Sequence, residues 1–345
     1  MMRRFGQIGL AAAAVGVLAV GGHAWLQHRA EAEARAYIDA RLSAMGLAET
    51  LRYGGVNVGL LSRDVAVSDL VLSEGGTEVW RIDRVEIKDI KTTPKGLPVA
   101  LAVAVRGLNL DFVRWEHDCT VGGVSCEYAE SAGELRSQGI DQMRVDADFA
   151  YDLDDAAKRL RVSAGLTMQQ FFSVGAAFSL GGLDSGTLRA IVDWAQEATQ
   201  SGVPPVLAAA AFGATVGKSI ERVDLGGIGF SMTDLGALRR RAEFLAKERG
   251  DRRPPADILN EQRAEMAAEI RADAKPWMDP AFVEAMVVAL DPFVASGKPY
   301  RIVSGEAAPV VLLKRGAQGL EAGPDLADPA RLFRALAPKV DNLPL

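Results

Sequence analysis

Histidine is nearly absent. Three occur in 345 residues; His23 and His28 sit in the N-terminal stretch, which leaves only His117 for the rest of the chain. A Ser-His-Asp triad or a multi-histidine metal site cannot be assembled from that supply. Basic clusters are missing too. The formal net charge is −6, whereas a duplex-binding surface needs clustered Lys and Arg to displace counterions. The longest basic run, Arg239-Arg240-Arg241, lies near Glu243 and Glu248 and reads as a solvated helix face. Nucleic acid is therefore not an expected partner. Aromatic residues make up only 6% of the chain, so the core must be built from Val, Leu, Ala and Ile.

What is present begins with a segment free of charge. Residues 5–26 read FGQIGLAAAAVGVLAVGGHAWL, long enough at helical rise to cover about 33 Å, against a hydrocarbon core of roughly 30 Å. Arg3 and Arg4 precede it, which places residues 1–4 in the cytoplasm. Trp25 stands where an interfacial aromatic belongs. A cleaved signal peptide is the competing reading, since Gly22 and Ala24 are small enough for a cleavage site. Residues 24–45 lack Pro and Gly and favour helix, so a retained anchor at 5–26 continuing as a helix over 27–46 is preferred. Either way, residues 47–345 are expected in the periplasm, the anchor being held by membrane lipid.

Cys119 and Cys126 are the only cysteines, and Gly122-Gly123 between them suits a tight turn. In an exported domain an even pair at this spacing suggests a disulfide. The alternative, a metal site that includes His117, fits no common zinc spacing.

After Gly46 the pattern alternates. Val56, Val58 and Leu60, then Val65 and Val67, then Leu70 and Leu72 read as strands. Val79, Ile82, Val85 and Ile87 have mixed spacing, and residues 99–113 form another strand. The clearest alternation is a three-strand meander. Val145, Ala147, Phe149 and Tyr151 share one face, followed by Leu160, Val162, Ala164, Leu166 and Met168, and then Val174, Ala176, Phe178 and Leu180. Residues 51–181 are thus strand-rich and 186–296 helix-rich. A strand at 219–232 interrupts the helices and needs a bulge near Gly226-Gly227. Residues 299–314 read as a closing hairpin, and 328–337 as a last short helix.

Three lookalikes fail on their own terms. Gly213 to Ser219 resembles a phosphate-binding loop, but only three residues separate its glycines and it runs from helix into strand. Gly227-Ile-Gly229 lacks the third glycine of a dinucleotide fingerprint. Gly123-Val-Ser125 lacks the rest of a nucleophile elbow. For acid/base chemistry the place to look is Asp146, Asp148, Asp152, Asp154 and Asp155. Ion pairs from Asp146 and Asp148 to Arg159 and Arg161 on the next strand would explain that segment without catalysis. No catalytic, cofactor-binding or metal-binding residue is assigned.

The stretch LRYGGVNVGLLSRDVAVSDLVLSEGGTEVWRIDRVEIKDI directly after an N-terminal anchor resembles AsmA-like inner-membrane-anchored periplasmic proteins and their smaller relatives. The likeness covers roughly residues 5–115 and 143–232. It implies a non-enzymatic role in envelope maintenance with an apolar groove for lipid, and it carries over no catalytic residue. The chain is short, and its helical region 234–296 is large for such a groove. The expected fold is α+β: an N-terminal transmembrane helix followed by a twisted antiparallel β-sheet with helices packed on one face. An apolar ligand would meet Phe149, Tyr151, Leu166 and Phe178. The alternatives are a scaffold that presents the domain to a periplasmic protein partner and, behind it, an unrecognised hydrolase.

Overall fold

The computed structural model describes residues 31–59, 64–74, 77–120, 132–133, 135–136, 139–201, 217, 219–248, 250, 253–304, 309–316, 319–324 and 328–341. The anchor at 5–26 lies outside them. Among the described residues no helix is long and apolar enough to cross a membrane. The fold is α+β, with a large antiparallel sheet and helices. The chain divides into two compact units. One gathers the residues through Ala150 with Gly165–Phe172 and Glu243–Leu245; the other holds Tyr151–Ala164, Ser173–Ala242 and Ala246–Leu345.

In the first unit, helix α1 (Glu31–Ala44) ends at Gly46, whose φ of 70° suits a residue without Cβ. Strands β1 (Leu51–Arg52) and β2 (Gly55–Val58) lie in series along β3 (Val65–Glu74). Next come β4 (Thr77–Thr92), β5 (Pro98–Asp111) and β6 (Gln142–Asp154). Ala34, Ile38 and Leu42 of α1 pack on Leu51, Val56, Val67, Leu70, Trp80, Ile82 and Val85.

That core explains the mixed spacing. In an even strand, Val67 and Leu70 would face opposite sides, yet both are buried in one cluster. Between them Asp69 takes φ 53°, which turns the pleat over. The same three-residue step recurs at Ile82/Val85 in β4 and at Val105/Leu108 in β5, where Gly107 takes φ 66°. The registers Ser68↔Arg84↔Arg106 and Leu70↔Ile82↔Leu108 place Asp69, Asp83 and Gly107 in one transverse row. Gly54 continues it, since a Cβ there would sit 2.9 Å from Asp69 Cβ. All the strands of the row therefore change pleat at one line, and their apolar residues stay on the α1 side.

Beyond β5 the chain departs from expectation. The strand ends at Asp111, and helix α2 (Phe112–Thr120) begins there, with Asp111 Oδ1 accepting from Arg114 N at 3.0 Å. The expected strand over 99–113 is therefore shorter, because this cap starts a helix. Phe112 and Trp115 meet edge to face and form a small core with Ala132 and Ile140. Trp115 Nε1 donates to Val79 O at 2.8 Å.

The meander is seen as expected in β6, β7 (Arg159–Met168) and β8 (Phe172–Gly181), which lead to β9 (Arg222–Asp234). Helix α3 (Ser185–Ser201) intervenes, its first turn capped by Asp184 Oδ1, which accepts from Thr187 N at 2.9 Å. In the second unit, α4 (Ala237–Glu248), α5 (Pro255–Asp273) and α6 (Pro280–Ser296) follow β9. Asp234 and Asp279 cap α4 and α6. Helix α6 ends in a left-handed turn at Gly297, where Gly297 N donates to Phe293 O and Lys298 N to Pro292 O. Ala289, Leu290 and Phe293 of α6 pack on Tyr300, with Met232, Leu238, Met266 and Ile302 around them.

The closing hairpin is corrected. β10 (Tyr300–Ser304) pairs with Met232–Gly229, and β11 (Val310–Gly316) with Leu225–Arg222. Both lie antiparallel to β9 in series, as one interrupted strand. The long edge of β9 accommodates both, and Pro309 has no N–H to offer a ladder. The hairpin that does form joins β11 to β12 (Gly319–Ala322). Helix α7 (Pro329–Leu336) is capped by Asp328, and β13 (Pro338–Val340) adds to β10. The bulge expected near Gly226-Gly227 is a close approach: a Cβ at Gly226 would lie 2.6 Å from Ser179 Oγ. The ladder between β9 and β11 is irregular between Val311 and Leu313, on β11.

Candidate functional site

The alternating strands β7 and β8 bring large apolar side chains to the surface. No residue of either strand is buried. In an antiparallel sheet one face normally packs on a core, so this departure sets the two strands apart. In the first unit, Phe149 is 43% and Leu166 40% exposed. In the second, Phe178 is 39% and Phe230 40% exposed. Three of the four residues expected to face an apolar ligand are thus open to solvent. Tyr151 is the exception: it is half-buried, and desolvation pushes its hydroxyl up to about 12. Phe230 was not among the expected contacts. Its signal was the alternation Ile228, Phe230, Met232 after two glycines.

The aspartates have other employment. Asp148 holds Arg106 of β5 through two contacts, at 3.0 and 2.5 Å, which keep the guanidinium above its usual range. Asp146 accepts from Gly107 N at 2.6 Å and from Gln169 Nε2 at 3.3 Å. Their partners therefore lie mostly on β5, and not at Arg159 and Arg161 as alternation suggested. The turned pleat at Gly107 aims its N–H at Asp146. Arg144 pairs with Asp83 at 2.6 Å across the same row. Arg161 instead meets Asp152 at 3.8 Å. Asp154 and Asp155 serve turns, accepting from Ala157 N at 3.0 Å and Ser185 N at 2.6 Å. Among the described residues no Asp or Glu is buried, and no three His, Cys, Asp or Glu gather as a metal site would need.

Cys119 lies on helix α2 by its backbone, not at a strand end, and Cys126 lies outside the described residues, as does most of the segment resembling a phosphate loop. The part of that segment within reach presents carbonyls. Gly217 O and Ile220 O accept from Arg315 Nη2 at 3.2 and 3.1 Å, and Ser219 O accepts from Thr187 Oγ1 at 3.2 Å. A phosphate needs N–H donors instead.

Comparison with protein-family models and with characterised proteins finds no match. The exposed apolar strands are what remains to be explained.

Proposed function

We propose that this chain is a membrane-tethered periplasmic protein of envelope maintenance that holds a lipid or a similar apolar molecule against its open strands. The observation that carries this reading is β8, where Phe178 is 39% exposed and no residue is buried. Water is a poor neighbour for such a surface. Covering one Phe exposed to that degree removes roughly 80 Å² of apolar area and contributes about 2 kcal/mol. The uncharged segment at 5–26 supports the same reading by keeping the strands near a membrane. The fold is read as non-enzymatic, and the AsmA-like resemblance points the same way.

Lipid extraction and mass spectrometry of the full-length protein, purified in detergent, test this. Wild type is expected to carry reproducible, stoichiometric lipid that Phe178→Asp loses while its circular dichroism spectrum stays unchanged. Equal lipid in both proteins, or none in wild type, overturns the reading. The alternative, a scaffold for a periplasmic protein partner, has less behind it. On α6 the single large apolar residue exposed among those described is Val288, at 63%, which is no patch.

A further inference from the structure

Helices α5 and α6 and their connector line an open hollow that the strands play no part in. Its volume is about 330 Å³, and it is lined by Met266, Glu269, Ile270, Asp273, Ala274, Met278 and Met286. Met266 and Ile270 stand one turn apart on α5, and Ala274 follows at its C-cap. Met278 comes from the connector and Met286 from α6. These apolar residues are half-buried, whereas Glu269 and Asp273 are exposed and mark the mouth. Thioether side chains are polarisable and flexible, which suits a lining that adapts to what it binds. The size falls at the low end of ligand pockets, which span roughly 300–1,000 Å³.

The two carboxylates decide the charge of the occupant. Of the other acidic residues of α5 and α6, Glu284 is held by Arg271 at 2.8 Å through both oxygens, Asp291 by Arg263 and Glu261 by Arg253, while Asp257 and Glu265 are without an ion pair among the described residues and lie away from the cavity lining. Among the described residues the carboxylates of Glu269 and Asp273 have neither an ion pair nor a side-chain hydrogen bond. No Lys or Arg lines the cavity. An apolar floor beneath two uncompensated negative charges complements a molecule with an apolar body and a cationic head, and repels a fatty-acid anion.

We propose that this cavity binds a small amphiphilic cation, an alkyl or aryl group bearing an ammonium. The ammonium sits between Glu269 and Asp273, and the apolar body lies among Met266, Met278 and Met286. The site is separate from the exposed strands and selects for the opposite charge to that of an anionic lipid.

Trp277 stands beside Met278 and meets Phe333 edge to face at 5.6 Å, which gives the connector an intrinsic fluorophore. The test titrates the full-length protein with octyltrimethylammonium, below its micelle concentration, and with octanoate, reading Trp fluorescence and ligand-observed NMR. Saturable binding of the cation, at least roughly tenfold tighter than that of octanoate, is expected from two nearby charges. Glu269→Gln with Asp273→Asn abolishes that preference without touching the core, and Phe178→Asp leaves it intact. Equal binding of the two probes, no saturable binding, or a preference that survives the double substitution overturns the proposal. Loss of the preference in Phe178→Asp overturns the separateness of the site.

Discussion

Gly107→Ala probes the transverse row at its tightest point. Gly107 takes φ 66°, and a Cβ there would lie 2.2 Å from Asp83 Oδ2 and 2.7 Å from Arg144 Nη2. The left-handed backbone alone costs an L-residue about 1–2 kcal/mol. Clearing the methyl also pushes Asp83 from Arg144, now 2.6 Å away, and from Asn109 Nδ2, now 3.3 Å away. That ion pair is partly exposed, so its loss adds no more than about 1 kcal/mol, and displaced neighbours raise the total to about 2–4 kcal/mol. Gly46→Ala is the matched control, with φ 70° and nothing within 4 Å of the added Cβ; it should cost only the backbone part. The assay is urea unfolding of the full-length protein, with Trp80 and Trp115 reporting on the first unit. Asp83→Ala should rescue part of the Gly107→Ala loss, a coupling of about 1 kcal/mol. If Gly107→Ala is no worse than Gly46→Ala, or if the two changes at the row are additive, the steric account of the row is wrong.

Trp115→Phe removes the buried indole N–H that donates to Val79 O, which should destabilise by about 1–3 kcal/mol in the same urea assay. Asp184→Ala removes the cap of α3 and should cost about 1 kcal/mol. The backbone N–H of Thr187 holds the Asp184 carboxyl below its usual range. Its stabilisation is therefore present above the unfolded carboxylate pKa and fades as the pH falls through the lower folded value; Asp184→Ala should show a smaller loss on acidification. At the other end of the scale, burial pushes Tyr53, Tyr151 and Tyr300 up from 10.0 to about 12, with Asp39 helping at Tyr53. The unfolded state ionises first, so stability is full below pH 10 and declines toward 12. Absorbance at 295 nm should show these three of the five tyrosines titrating late, and ionisation near 10 for all five would refute it.

The meander was legible because its alternation is unbroken: residues 143–180 map onto β6, β7 and β8 with small shifts at the ends. Strands β3 to β5 were harder to read. A step from Val67 to Leu70, or from Ile82 to Val85, looks helical on paper, and Asp69 is not a glycine whose left-handed φ would announce itself. The register of β10 and β11 was illegible for another reason. Two short apolar runs around Pro309 look like a hairpin, and only the length of β9 shows that both lie along one edge. Of the apolar contacts, Phe149, Leu166 and Phe178 could be read from alternation, whereas the half-buried state of Tyr151 depends on packing. Met266 and Met286 read as ordinary helix interior, because nothing in their spacing shows that Met278 completes a hollow beside them.

An evenly alternating strand can slide two residues along its neighbour and still offer the same face to the core. The strands of the first unit cannot. Gly54, Asp69, Asp83 and Gly107 sit side by side, so a slip of two would set one strand's inverted pleat against a neighbour's regular one and break both hydrogen-bonded ladders. Misalignment there carries its own penalty, independent of any turn. β7 and β8 hold no residue of left-handed φ within their spans and so lack that lock.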